Sequence, residues 1–238
     1  MVRPVQIGPV TLYHGCALEV LADLRGQADC VVTDPPYALT SGGRGRVGDG
    51  SMSGKFCADR YANDGRFFPP VDWAEMARPI YDALGKRGHA YIMCTDRHLG
   101  AADAAFKRAG FRFHRMLVWP TLPKPNRWYM PDAEFALFLF KGAAFRIARP
   151  GSRQTQAFAP VIGGDHPTEK PVAMMAHWIT NSTLAGDVVL DPFMGSGATL
   201  VAAIETGRRA IGIERDARWF NHARRRCEVA WAEKEKAA

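Results

Sequence analysis

The chain has 238 residues, 47% hydrophobic and 23% charged, with a formal net charge of +7. This is the composition of one folded globular domain, not of a disordered or fibrous chain. No apolar run is long enough to span a bilayer, and the N-terminal stretch "MVRPVQIGPV" lacks the apolar core of a secretory signal, so no membrane and a cytoplasmic location are expected. The five cysteines, Cys16, Cys30, Cys57, Cys94 and Cys227, are odd in number and never in CxxC spacing. They predict buried thiols and no metal site.

In chain order, residues 10–15 alternate in polarity and predict a short strand. Residues 17–24 have helical apolar spacing. Residues 28–33 form a continuous apolar run, as in a strand buried on both faces of a parallel sheet. Residues 38–70, rich in Gly, Ser and Arg, are too long for an ordinary connector. Asp72 is placed to cap a helix ending at Gly85, with Pro79 expected to kink or shorten it. A strand is predicted over 89–95, a helix from Asp96 to Gly110, and a strand over 111–119. Residues 120–131 carry four prolines. Residues 134–141 predict a strong strand, 142–165 are irregular and basic, and 172–183 predict a helix. A strand over 187–193 runs into a glycine turn and a helix. Residues 209–214 predict a strand, and a long helix closes the chain. Strands alternate with helices nearly throughout, which predicts an α/β fold with a mostly parallel sheet.

Two strand ends carry unusual residues. The run 28–33 stops at Asp34-Pro35-Pro36-Tyr37. Two prolines remove two backbone donors, so the ladder must end there. Their fixed φ angles hold the Asp34 side chain and the Pro35 carbonyl in set directions beside the ring of Tyr37. Two acceptors next to an aromatic face suit the exocyclic amine of a nucleobase. The second strand end is Asp191-Pro192-Phe193-Met194-Gly195-Ser196-Gly197. Glycines there allow a tight bend and close approach of a ligand, and Glu214 ends the next strand, where a carboxylate can accept from ribose hydroxyls. The turn is not GxGxxG, and its acid suits a cationic nucleoside better than a pyrophosphate, which disfavours a nicotinamide-dependent enzyme.

Charge is uneven. Between residues 104 and 153 there are ten basic residues and two acids. A field of one sign attracts phosphate backbones. The candidate DNA contacts are Arg44, Arg46 and Lys55 in the first irregular segment, and Lys124, Arg127, Trp128, Arg146, Arg149 and Arg153 in the second.

The motifs "TDPPY", "DPFMGSG" and "HPTEKP" (166–171) together resemble the amino-methylating DNA methyltransferases that use S-adenosylmethionine. The catalytic motif lies N-terminal to the cofactor motif, the permuted order of that family's beta-type group. The resemblance implies a class I, Rossmann-like, seven-stranded sheet with one antiparallel strand, placed at 134–141. It implies a single methyltransferase domain over 1–238, with 38–70 and 120–165 as inserted DNA-recognition segments. Asp34 and the Pro35 carbonyl would bind the target amine, Pro36 would be structural, and Tyr37 would stack on the flipped base. Asp191, Phe193, Gly195, Ser196 and Gly197 would shape the cofactor pocket, and Glu214 would take the ribose. Thr168 and Lys170 would meet the methionine end, Lys170 as the partner of its carboxylate. The family often has an Asp just after the first strand, contacting the cofactor adenine, where this chain has Cys16.

The implied substrate is double-stranded DNA, with a homodimer left open. The implied reaction is methylation of adenine N6. Cytosine-N4 methylation is the close alternative, since such enzymes more often carry Ser at the position of Asp34. A catalytically degenerate nucleic-acid-binding partner of the same fold is a further alternative. No cysteine follows a proline here, which sets aside the cytosine-C5 enzymes and their cysteine nucleophile.

Overall fold

A computed structural model describes residues 3–37, 70–123, 129–161 and 168–237. Eight strands form one sheet: β1 (Val5–Ile7), β2 (Val10–His14), β3 (Ala28–Thr33), β4 (Leu84–Cys94), β5 (Arg112–Pro120), β6 (Ala133–Lys141), β7 (Val188–Asp191) and β8 (Arg209–Glu214). Their spatial order is β1-β2-β8-β7-β3-β4-β6-β5. Strands β2, β8, β7, β3 and β4 are mutually parallel, and β6 runs antiparallel to both β4 and β5. The seven expected strands are present, and 134–141 is the reversed one. The eighth, β1, is a three-residue hairpin arm on β2. It turns at Gly8, in the left-handed region at φ +49°, where a side chain is strained.

Six α-helices cover the sheet: α1 (Ala17–Leu21), α2 (Trp73–Ala83), α3 (Leu99–Ala109), α4 (Val172–Ser182), α5 (Ala198–Thr206) and α6 (Ala217–Ala237). Asp72 caps α2 as expected, its carboxylate accepting from the Ala74 N–H at 2.6 Å. Helix α2 continues through Pro79 and ends at Ala83, where β4 begins at once. Gly110, at φ +111°, ends α3. One apolar core lies under α4, α5 and α6, with Leu12, Trp178, Leu200 and Phe220 at its centre. The other lies under α1, α2 and α3, built on Leu21, Ile80, Ile92 and Phe106. No helix among the described residues is long and apolar enough to cross a membrane.

The order of strands fixes where a ligand can sit. From β3 the chain crosses toward β4, whereas from the adjacent β7 it crosses toward β8. The loops leaving the carboxyl ends of β3 and β7 therefore part, and they open a crevice at that edge. Both unusual strand ends of the sequence lie there.

Candidate active site

Strand β3 is buried along nearly its whole length and delivers Thr33 and Asp34 to the crevice. The Thr33 hydroxyl donates to Asp191 Oδ1 at 2.7 Å, and the Phe193 N–H donates to the same oxygen at 3.1 Å. Asp191 thus ties the Asp-Pro-Pro-Tyr turn to the glycine turn. Its environment is 4% exposed. Burial pushes its carboxyl up to about 6, against the opposing pull of the donors from Thr33, Thr199 and Phe193.

The glycine turn has the expected geometry. Gly195 and Gly197 have φ of +47° and +80°. A methyl on Gly197 would lie 2.9 Å from the Ala223 Cβ of α6, so this turn needs glycine for both backbone and space. Glu214, at the tip of β8, accepts from the Gly195 N–H at 3.0 Å and from the Asp216 N–H at 2.7 Å. Burial raises its pKa, and these backbone donors hold it back. Phe193 is half-buried against the core beneath α1 and α2. Ser196 is buried, and its carbonyl accepts from Arg226 Nη1 at 2.9 Å. Cys16 precedes α1 and makes no side-chain cap bond, and the neighbouring Gly15 N–H donates to the Glu214 carbonyl at 2.9 Å. That puts Cys16 beside the same crevice.

Lys170, reached from the sequence as a cofactor contact, is 7% exposed and turns to the other turn. Its ammonium lies 2.5 Å from Asp34 Oδ2, 3.2 Å from the Thr168 carbonyl and 3.4 Å from Glu134 Oε2. Burial alone would lower the Lys170 pKa, but Asp34 and Glu134 outweigh it and hold the ammonium charged. Burial raises the Asp34 pKa, Lys170 opposes this, and Glu134 adds to it. The second oxygen, Asp34 Oδ1, is buried without a hydrogen-bond partner. Pro35 is buried, and the Pro36 carbonyl accepts from the Val71 N–H at 2.9 Å, which fixes the far side of the turn. The Tyr37 ring stacks on Trp73 at 5.8 Å and 22°, and meets His98 at 5.3 Å. The Trp73 indole N–H donates to His98 Nδ1 at 3.2 Å, so Tyr37 stands against a braced aromatic pair.

Asp34, Pro35, Pro36, Tyr37, Thr168, Lys170, Asp191, Phe193, Gly195, Ser196, Gly197 and Glu214 are thus gathered around one crevice. Arg146, Arg149 and Arg153 are exposed and lie elsewhere, on a segment that runs along the outer edge of β5 through a bridge between Val118 and Thr155. At the other end of that segment Phe145 stacks on His89 of β4 at 3.9 Å, and the Arg149 N–H donates to Asn181 Oδ1 of α4 at 3.1 Å. There Arg153 lines a cleft of about 320 Å³ together with Arg115, His114 and Asn181. Arg44, Arg46, Lys55, Lys124, Arg127 and Trp128 lie outside the described residues.

Sequence reasoning missed four side chains here. Glu134 opens β6 and meets Lys170; its signal was a lone acid heading an apolar strand. Trp73 and His98 brace Tyr37 and carried no motif. Arg226 of α6 holds the Ser196 carbonyl and pairs with Glu169 Oε1 at 2.9 Å, clamping the glycine turn to the segment carrying Thr168 and Lys170.

Residues 144–225 match the DNA methylase family of N6 and N4 methyltransferases. YubD of Escherichia coli (strain K12) is 33% identical over 206 residues, covering 84% of this chain and 82% of that protein. The DNA adenine methyltransferase YhdJ of the same organism is 27% identical over 262 residues, covering 92% and 83%. The crystal structure of the M1.HpyAVI–SAM complex superposes with a TM-score of 0.67 at 26% identity, over 91% of this chain and 99% of that one. The chain belongs to the DNA methylase family of N6 and N4 amino-methyltransferases.

Proposed function

We propose that this protein methylates the N6 amine of a flipped adenine in double-stranded DNA, with S-adenosylmethionine as methyl donor. The observation that carries the proposal is Asp34: one carboxylate oxygen is held by Lys170, and the other is buried and unpartnered. A buried acceptor without a donor is costly unless a ligand supplies one. An exocyclic amine supplies N–H donors and brings a flat ring for Tyr37.

The crevice also suits the donor. Glu214 and Asp191 make it acidic, the left-handed glycines let a ligand approach the main chain, and the turn after β7 is not the pyrophosphate-binding GxGxxG. Glu214 would take the ribose hydroxyls. Thr168 lies at the methionine end, while Lys170 is committed to Asp34. When bound, S-adenosylmethionine supplies a methyl group on a sulfonium, open to in-line displacement by the amine nitrogen. Asp34 and the Pro35 carbonyl orient that nitrogen and withdraw its lone pair from the ring. The positive charge that grows on nitrogen meets the Asp34 carboxylate. Catalysis of this kind is positioning and electrostatics, without a covalent enzyme intermediate. Extruding the base costs a few kcal/mol, which Tyr37 stacking and the hydrogen bonds to Asp34 offset.

The same reading makes 1–238 one methyltransferase domain, with 38–70 and 120–165 supplying DNA recognition. Arg146, Arg149 and Arg153 then serve as phosphate contacts. Action in the cytoplasm follows from the substrate, and sedimentation velocity with and without DNA separates a monomer from a homodimer. Asp34 rather than Ser favours adenine over cytosine. The test is to incubate the protein with labelled S-adenosylmethionine and unmethylated DNA, digest to nucleosides and identify the product by mass spectrometry. N6-methyladenine is expected. N4-methylcytosine would overturn the choice of base, and no methylation with DNA binding intact would favour a degenerate partner.

A further inference from the structure

Glu134 stands at the start of β6, which runs antiparallel to β4, so it lies at the same edge of the sheet as the carboxyl end of β3. Lys170 reaches between the two from the loop before α4. Its ammonium donates to Asp34 Oδ2 and to the Thr168 carbonyl, and ion-pairs with Glu134 Oε2 at 3.4 Å. Glu134 Oε2 is buried and takes no hydrogen bond of good geometry. Burying a carboxylate that takes no full hydrogen bond is unfavourable, so its presence calls for an explanation beyond stability.

Charge supplies one. Asp34 and Lys170 alone form a neutral pair, and the ammonium would draw density from the oxygen it holds. A second carboxylate on the far side of the ammonium shares its field and leaves the cluster with a net charge of −1. That negative charge faces the nitrogen on which positive charge develops during methyl transfer, where a preorganised opposite charge is most effective. We propose that Glu134 is a positioning residue for the reaction: it shares Lys170 with Asp34, and so keeps Asp34 oriented and a strong acceptor for the target amine. This rests on Asp34 being the amine-binding residue.

The other groups facing Asp34 are Tyr37 on its own turn, Cys94 at the end of β4 and Asp191 at the end of β7. None of these is a cation, so Lys170 is the positive charge that Glu134 and Asp34 share, and the Glu134 charge also acts on Asp34 directly. The coupling can be read without cofactor or DNA. Protein labelled with ¹³Cγ-aspartate is titrated by NMR as wild type, Glu134→Gln and Glu134→Asp, with Asp34→Asn to assign the Asp34 signal. Glu134→Gln keeps the shape and removes the charge. The Asp34 midpoint is expected to move down in Glu134→Gln and to return toward wild type in Glu134→Asp. In single-turnover assays Glu134→Gln is expected to slow methyl transfer about tenfold to a hundredfold, with the Kd for cofactor and for DNA within about twofold of wild type.

An unmoved midpoint overturns the proposal. So does a transfer rate equal to wild type, or a loss that lies wholly in cofactor affinity. A wild-type protein that methylates no adenine fails the reading of function, and the NMR midpoint still decides the link between Glu134 and Asp34.

Discussion

Asp191 is 4% exposed and is met by neutral donors, among them the Thr33 hydroxyl and the Phe193 N–H. No cation pairs with it among the described residues. Its carboxyl is pushed up to about 6 from an ordinary 3.8. Between those values the folded protein holds a proton that the unfolded chain has released, so stability falls as pH rises through this window. The difference amounts to about 3 kcal/mol at pH 7, as an upper figure. Asp191→Asn removes the charge and keeps a carbonyl to accept from Thr33 and Phe193. Urea unfolding of both proteins at pH 4 and pH 7 is the assay. The variant is expected to be more stable than wild type at pH 7, by up to about 3 kcal/mol, with the gap closing toward pH 4. Cofactor affinity should fall at the same time, since the acid then serves the site at the expense of the fold. A variant with the same pH dependence as wild type would refute the reasoning.

Cys16→Asp supplies a cap acceptor at the start of α1 and the acid usual in the family. It should raise stability by about 1 kcal/mol in thermal unfolding and tighten cofactor binding about tenfold by calorimetry. Gly197→Ala combines a left-handed backbone with the contact to Ala223, and should lose about 2–4 kcal/mol in denaturant titration. Gly26, at φ +69° with open space around its Cα, is the control, and Gly26→Ala should lose only the backbone part, about 1–2 kcal/mol. Replacing Arg146, Arg149 and Arg153 by Ala should lower the slope of log K against log salt for DNA binding by about 3, because three phosphate contacts are removed.

Much of this site could be read directly from the chain. The strand preceding Asp34, the glycine turn and Glu214 each join a chemistry-bearing residue to a strand end, and strand ends are local signals. The seven main strands followed for the same reason. Strand β1 escaped because three residues carry too little pattern, and it exists only by pairing with β2. Helix α2 ended before Gly85 because "LGKRG" was absorbed into β4, Leu84 pairing with Ala28 of β3 and Gly88 with Lys141 of β6, although alone it reads as a turn. The partners of Lys170 were not legible. Lys170 and Asp34 lie 136 residues apart, and Glu134 joins them only because β6 runs backwards beside β4. The clamp of Arg226 on Ser196 and Glu169 is likewise set by how α6 packs, not by any spacing in the chain.

Asp34→Ala, with binding and transfer measured separately, is the most direct test of the site as a whole. Calorimetry should show S-adenosylmethionine binding close to wild type, because Glu214 and the glycine turn are untouched. Single-turnover assay on unmethylated DNA should show transfer reduced to background. Transfer that persists near the wild-type rate would contradict the assignment of Asp34 as the residue that holds the target amine.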